Sequence, residues 1–371
     1  MTAPLPTPTP SACPTSPDGA LERLLDANLD RAREGLRVLE DWCRFALDRP
    51  DLVWRLKDHR QRLGRCHHAR YKEARHTATD PAAGLGHPAQ AERLQPAQVL
   101  AANAARVQEA LRVLEEFGRS GDPELAQQAA GIRYSLYDLE VDLLRASSAT
   151  AGAERRRQLA QASLYLVTSP VPQLEVVVEA ALRAGVRLVQ YREKQADDGE
   201  RLVMAQRLRQ RCAAYGALFV VNDRVDLALA VDADGVHLGQ GDLPPAQARR
   251  LLGPERLIGR STHRLEQLEQ AVHDGCDYVG VGPVNATPTK PGREPVGLAY
   301  VRQAAAVCPI PFFAIGGIDA TTLPAVQAAG ATRVAVVRAI TEATDGEVAS
   351  RQLLGLLAVG AAAAPGSPAT E

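Results

Sequence analysis

Two patterns of hydrophobic positions divide the chain. From about Leu21 to Arg145, Leu and Ala recur at helical spacing among Arg and Glu, with few β-branched runs, which predicts amphipathic helices. After the charged stretch "AERRR" (153–157), short apolar runs take over: "LYLVTS" (164–169), "LVQYREK" (188–194), "LFVVND" (218–223) and "GVHLGQ" (235–240), then "LIGRST" (257–262), "YVGVGP" (278–283), "FFAIGG" (312–317) and "RVAVVRA" (333–339). Each has the length of a buried strand, and helical segments separate them, among them 173–184, 199–214, 264–274 and 321–329. Eight β/α units in about 200 residues predict a (β/α)8 TIM barrel preceded by an all-α domain. A doubly wound open sheet is the alternative, disfavoured by the absence of a GxGxxG at the first turn.

The helical half repeats itself. "ANLDRAREGLRVLEDWCRF" (27–45) matches "ANAARVQEALRVLEEFGRS" (102–120) at Asn28/Asn103, Arg31/Arg106, Glu34/Glu109, Arg37/Arg112 and Glu40/Glu115. These residues fall three apart, so adjacent ones can touch, and four of them together wrap about half of a helix. Either they form a satisfied polar network where the duplicated helices meet, or they hold a ligand there. The expected domains are a tail at 1–18, an all-helical domain at 19–148, the barrel at 159–358 and a second tail at 359–371. The Pro- and Thr-rich start lacks a basic n-region and an apolar h-region, so it reads as disordered rather than as a signal peptide.

Composition narrows the function. Of 371 residues 46% are hydrophobic and 23% charged, with a formal net charge of −1, which gives no general argument for nucleic acid or a membrane surface as partner. Six scattered cysteines form no CxxC pair, so neither a disulfide framework nor a zinc site is expected and a reducing cytoplasm fits. No charge-free apolar run approaches the length of a membrane span.

In a barrel of this kind active sites lie at the C-terminal ends of the strands. Those ends carry Arg192 and Lys194 after the second strand, Asn222 and Asp223 after the third, Asp242 after the fourth and Ser261 at the fifth. Thr287, Thr289 and Lys290 follow the sixth, in the long loop "PVNATPTKPGREP" (283–295), and Gly316 and Gly317 end the seventh. Such a loop is suited to closing over substrates. Asp223 and Asp242 suit Mg²⁺ completed by substrate phosphates. Arg192, Lys194 and Lys290 complement a diphosphate, and the glycine pair lies where barrels bind a monophosphate. Two phosphorylated substrates joined with loss of diphosphate would use both sites.

The segments "QYREK", "VNDRVDLAL", "ADGVHLGQGDLP", "GPVNATPTK" and "AIGGI" resemble, in order and spacing, thiamine-phosphate synthases (thiamine-phosphate pyrophosphorylases), over about 163–345. The resemblance implies a (β/α)8 enzyme that condenses 4-amino-2-methyl-5-(diphosphooxymethyl)pyrimidine with 4-methyl-5-(2-phosphoethyl)thiazole, or its carboxylate, releasing diphosphate. It places the pyrimidine diphosphate on Gln190, Tyr191, Arg192, Glu193 and Lys194 with Asn222, Ser261 and Lys290, and one Mg²⁺ per barrel on Asp223 and Asp242. The catalytic cations would be Arg192, Lys194 and Lys290. The thiazole phosphate falls on Thr287, Pro288, Thr289, Gly317, Val337 and Arg338, the last of these a Ser in some members. A thiazole tautomerase or a precursor sensor without catalysis are the rival readings; the full diphosphate and metal set favours the synthase. The helical half resembles the domain fused ahead of the barrel in cyanobacterial-type members, related to a hydroxymethylpyrimidine-phosphate kinase. That implies either ATP use there, with Asn28, Arg31, Asn103, Arg106 and the loop near Asp80 as candidates, or an accessory role; no Walker-type loop is present. Small phosphorylated substrates are the expected partners, and a homo-oligomer is left open.

Overall fold

The computed structural model describes residues 17–75, 96–287 and 294–362. The chain divides into two compact units at Ser148.

Unit 1 is helical, as its periodicity predicts: α1 (Pro17–Phe45), α2 (Pro50–Arg65), α3 (Ala69–Glu73), α4 (Pro96–Gly121) and α5 (Pro123–Gln161), the last continuing into unit 2. α1 includes Pro17 and Asp18, which composition alone assigns to a tail; Pro tolerates the first helical turn, where no N–H is needed. The buried stripe of α1 is Leu25, Leu29, Ala32, Leu36, Leu39 and Cys43, and its duplicate on α4 is Leu100, Ala104, Val107, Leu111, Leu114 and Gly118. The spacing of four, three, four, three, four puts each stripe on one face, and the two helices pack together along them.

The repeated polar residues do not form one network between α1 and α4. Asn28 and Asn103 turn back on their own helices, each donating to the carbonyl four residues earlier (2.9 and 2.8 Å). Arg31, Glu34, Arg106 and Glu109 are exposed. Glu40 and Glu115 instead pair with the second helix of each hairpin: Arg60 Nε donates to Glu40 (2.8 Å), and Arg133 Nη2 to Glu115 (2.8 Å). The duplication therefore reaches further than its obvious half. Pro50, Leu52, Arg60 and Leu63 of α2 correspond to Pro123, Leu125, Arg133 and Leu136 of α5. Asp80 lies outside the described residues.

Only 4% of the Glu40 side chain is exposed, so losing it strands Arg60. Glu40→Ala is expected to cost unit 1 about 3 kcal/mol, the low end for a broken buried pair. Both tryptophans, Trp42 and Trp54, lie in unit 1, so urea unfolding followed by their fluorescence isolates that unit; an unmoved midpoint would contradict the pairing.

Unit 2 is the expected barrel. β1 (Leu164–Val167), α6 (Leu174–Ala184), β2 (Leu188–Tyr191), α7 (Asp198–Ala214), β3 (Leu218–Asn222), α8 (Val225–Ala230), β4 (Gly235–Leu238) and α9 (Pro245–Leu252) form its first half. β5 (Leu257–Thr262), α10 (Leu265–His273), β6 (Tyr278–Val281), α11 (Gly297–Val307), β7 (Phe312–Ile315), α12 (Leu323–Ala328), β8 (Val334–Val336), α13 (Arg338–Thr341) and α14 (Gly346–Ala362) complete it. The strands are parallel and β8 pairs with β1, closing the sheet. α14 reaches Ala362, into the stretch expected to be a tail.

Alternation along the strands builds two cores. Leu164, Leu166, Val189, Tyr191, Phe219, Val221, Val236, Ile258, Val279 and Val334 face the helices. Tyr165, Val167, Leu188, Leu218, Val220, Leu257, Tyr278, Phe313 and Ala335 fill the barrel, joined by Leu159 and Ala162 at and just beyond the end of α5. A strand buried on both faces reads as a continuous apolar run, which is why these segments are so legible. Most strands are shorter than their apolar runs: β2 stops at Tyr191, so Arg192, Glu193 and Lys194 belong to the loop that follows.

Candidate active site at the C-terminal rim

A cavity of about 860 Å³ opens among the C-terminal ends of the strands. Of the residues expected to bind or act, Gln190, Arg192, Lys194, Asn222, Asp223, Asp242, Ser261, Thr287, Gly317, Val337 and Arg338 line it. Pro288, Thr289 and Lys290 lie outside the described residues. Tyr191 and Glu193 are not among the residues that line the cavity. Tyr191 belongs to the outward series of β2 and is buried against the helices, while Glu193 accepts from the N–H groups of Gln195 (2.7 Å) and Ala196 (3.2 Å) and shapes the loop. Alternation from Gln190 puts Tyr191 on the opposite face of the strand.

The cations and carboxylates meet on one side. Thr168 Oγ1 accepts from the Arg192 N–H (2.9 Å), fixing the backbone where β2 ends. The Arg192 side chain is half-buried and has no ion-pair partner among the described residues. Lys194 Nζ lies 3.0 Å from Asp223 Oδ2. Asp223 and Asp242 lie close enough that each shifts the other's carboxyl. Burial pushes the Asp223 carboxyl above the usual carboxylate range, Asp242 adds to the rise, and Lys194 opposes it. For Asp242 burial also disfavours charge, but the interaction with Asp223 and the hydrogen bond from the Gly239 N–H (2.6 Å) outweigh it and hold the group low. Two carboxylates this close share a proton unless a cation takes its place.

The opposite side is built from backbone. Gly316 and Gly317 have φ of +110° and +59°, and a Cβ on Gly316 would stand 2.6 Å from Pro283 Cα, so the turn demands glycine. Asp319 holds the following turn by accepting from the Thr321 (2.9 Å) and Thr322 (3.0 Å) N–H groups, contacts with both threonines that keep its carboxyl low. Arg338, at the start of α13, approaches Glu342 at 3.8 Å.

Several lining residues have no counterpart among those read from the strand ends: Tyr165, His237, His263 and Gln240. His263 Nδ1 contacts the Gly282 carbonyl at 2.5 Å, and Gln240 Nε2 donates to the Ser261 carbonyl at 2.7 Å. Tyr165 and His237 sit at inward positions of β1 and β4, so the period-two pattern could have found them; they are deeper than the strand ends.

A closed parallel barrel whose rim joins a carboxylate pair, the cations Arg192 and Lys194 and a glycine turn defines an enzyme for phosphorylated small molecules. Comparison with known proteins narrows this. Residues 164–340 match the family model "Thiamine monophosphate synthase", and residues 23–142 match "ThiD2 family". A thiamine-phosphate synthase of Synechococcus sp. (strain CC9311) is 62% identical over 341 residues, covering 91% of this chain and 96% of that protein. One from Synechocystis sp. (strain ATCC 27184 / PCC 6803 / Kazusa) is 53% identical over 90% of this chain and 96% of its own. Among solved structures, the thiamine phosphate pyrophosphorylase of Pyrococcus furiosus superposes with a TM-score of 0.51 at 36% identity, covering 55% of this chain and 98% of that one. The chain belongs to the thiamine-phosphate synthase family, and with it to the transferases of thiamine biosynthesis.

Proposed function

We propose that the rim cavity joins 4-amino-2-methyl-5-(diphosphooxymethyl)pyrimidine to 4-methyl-5-(2-phosphoethyl)thiazole, or its carboxylate, to give thiamine phosphate and diphosphate. One observation carries this reading: a cluster of cations and carboxylates and a turn of glycine backbone, each suited to a different anion, open into a single cavity. Gln190, Asn222 and Ser261 hold the pyrimidine, and Arg192 and Lys194, with Lys290 from outside the described residues, hold its diphosphate. Thr287, Gly317, Val337 and Arg338 take the thiazole phosphate, together with Pro288 and Thr289, which also lie outside the described residues.

Asp223 and Asp242 fit Mg²⁺. They are a facing pair of hard oxygen donors that otherwise share a proton, and no cluster of three or more ligand-type side chains occurs among the described residues. Substrate phosphates and water would complete six-fold coordination. When bound, the ion neutralises charge on the diphosphate. Lys194, 3.0 Å from Asp223 Oδ2, would be free to hold the diphosphate where Asp223 holds the ion. The C–O bond to the diphosphate breaks with its electron pair leaving on oxygen, and the pyrimidine 4-amino group supplies electrons to the methylene. The thiazole nitrogen lone pair then forms the C–N bond. With 4-methyl-5-(2-phosphoethyl)thiazole no proton is transferred, while from its carboxylate CO2 also departs and the thiazole C2 takes up a proton from water; this chain's task is to hold two rings in line, exclude bulk water and stabilise the departing charge.

The test is thiamine phosphate formation by the full chain with Mg²⁺ and thiazole phosphate, read as thiochrome fluorescence after oxidation. Product from the pyrimidine diphosphate is expected, and its absence would overturn the assignment. Repeating the assay with pyrimidine monophosphate plus ATP addresses unit 1: product there makes it the kinase that the resemblance implies, and none leaves it an accessory module. No described helix is long and apolar enough to cross a membrane.

A further inference from the structure

Below the cavity, five side chains from five strands form one continuous hydrogen-bonded chain across the barrel. Gln190 Nε2 donates to the Tyr165 hydroxyl (2.5 Å), which lies 2.8 Å from the Tyr278 hydroxyl. The Tyr278 hydroxyl lies 3.2 Å from His237 Nδ1, and His237 Nε2 lies 2.9 Å from Ser261 Oγ. Gln190 and Ser261, at its two ends, are residues assigned above to the pyrimidine; the three between them have no role in the mechanism so far. The middle is rigid. Tyr165, Tyr278 and Phe313 pack edge to face with centroids 5.2 to 5.8 Å apart. Gly259 leaves room for the Tyr278 ring, since a Cβ there would stand 2.1 Å from its Cζ.

With Gln190 as donor to Tyr165, one direction uses every proton along the chain. Tyr165 accepts from Gln190, so its single proton goes to Tyr278, and the Tyr278 proton goes to His237 Nδ1. A neutral imidazole with an accepting Nδ1 carries its proton on Nε2 and donates to Ser261. Two groups are then left for a ligand: the Gln190 Oε1 acceptor and the Ser261 O–H donor. Placing the imidazole proton on Nδ1 would reverse every bond and both ends together, leaving an amide donor at Gln190 and a lone pair at Ser261.

We propose that Tyr165, Tyr278 and His237 are positioning residues that fix the polarity of the pyrimidine site, presenting an acceptor at Gln190 to the 4-amino group and a donor at Ser261 to a ring nitrogen. This rests on the reading that Gln190 and Ser261 hold the pyrimidine. The ring cannot turn to suit either polarity, because its 5-substituent is tied to the diphosphate side. A 4-oxo ring bound the same way sets carbonyl against carbonyl at Gln190 and N–H against O–H at Ser261. Buried polar groups left without complements are the strongest source of discrimination a site can have.

The test uses two competitive inhibitors of the full-length enzyme, the monophosphates of 4-amino- and 4-oxo-2-methyl-5-hydroxymethylpyrimidine, on the native chain and on Tyr278→Phe. The native chain is expected to favour the 4-amino compound about 100-fold or more. Tyr278→Phe, which uncouples the two ends, should reduce that ratio about tenfold or more while the KM for thiazole phosphate stays put. A merely structural role weakens both inhibitors equally, and an unchanged ratio in folded Tyr278→Phe overturns the proposal while leaving the site assignment intact. If neither monophosphate competes with the pyrimidine diphosphate, the site assignment itself falls and the proposal with it. A second measurement reads the native chain. Nitrogen NMR of the histidine-labelled native chain, with His237 assigned by loss of its signals in His237→Gln, should show the Nε2–H tautomer, and an Nδ1–H tautomer overturns the proposal.

Discussion

Asp223→Asn is expected to lower kcat by about 10³-fold, the loss of about 4 kcal/mol of transition-state stabilisation when a metal-bound leaving group loses its anchor. Asn is the informative replacement. Asp223 has φ of +62°, a left-handed conformation that Asn tolerates as well as Asp while most residues do not. The backbone at the end of β3 is therefore kept, and only the charge is removed. Asp242→Asn should behave alike, since an amide oxygen can still accept from the Gly239 N–H. Raised Mg²⁺ is expected to restore part of the activity in each, because the substrate's phosphates keep their share of the coordination. Activity within tenfold of the parent under saturating substrates would remove the two carboxylates from the mechanism.

The second large effect is at Arg192. Its guanidinium is half-buried at the cavity with no ion-pair partner among the described residues, whereas Lys194 already has Asp223. A half-buried cation with no ion-pair partner among the described residues attracts an anion, and its attraction is greatest for the charge that develops as diphosphate departs. Arg192→Ala is expected to reduce kcat/KM for the pyrimidine diphosphate about 10²–10³-fold, as when one donor to a developing anion is removed. Arg192→Lys should recover part of this, since it keeps the charge but loses the planar fork that grips two oxygens at once. The KM for thiazole phosphate is the internal control. If it rises as much as that for the pyrimidine substrate, Arg192 shapes the whole cavity rather than holding the diphosphate.

Much of this was legible in one dimension because much of it is local. A strand buried on both faces must be apolar throughout, so eight apolar runs announced eight strands, and polarity at their ends marked the rim. Helical stripes at four, three, four, three spacing revealed α1 and α4 and their duplication. The resemblance groups Tyr191 with Gln190, while alternation sets it on the opposite face, buried against the helices. The pairing of Glu40 with Arg60 escaped notice because the second helix of the repeat has diverged outside its few matched positions.

What the chain by itself determined is therefore the element order, the inward and outward series of each strand, and which charges reach the rim. The tertiary structure alone decided which of those charges meet. Closure of β8 on β1 makes a single cavity of separate strand ends, sets Asp223 against Asp242, and brings Lys194 rather than Arg192 to Asp223. The buried relay depends on closure even more directly: Tyr165 and Tyr278 are 113 residues apart, and no local period predicts that two hydroxyls will share a proton. Periodicity records how each residue relates to its own element. Hydrogen bonds between elements depend on where those elements are brought, and that is set by the packing of the whole barrel.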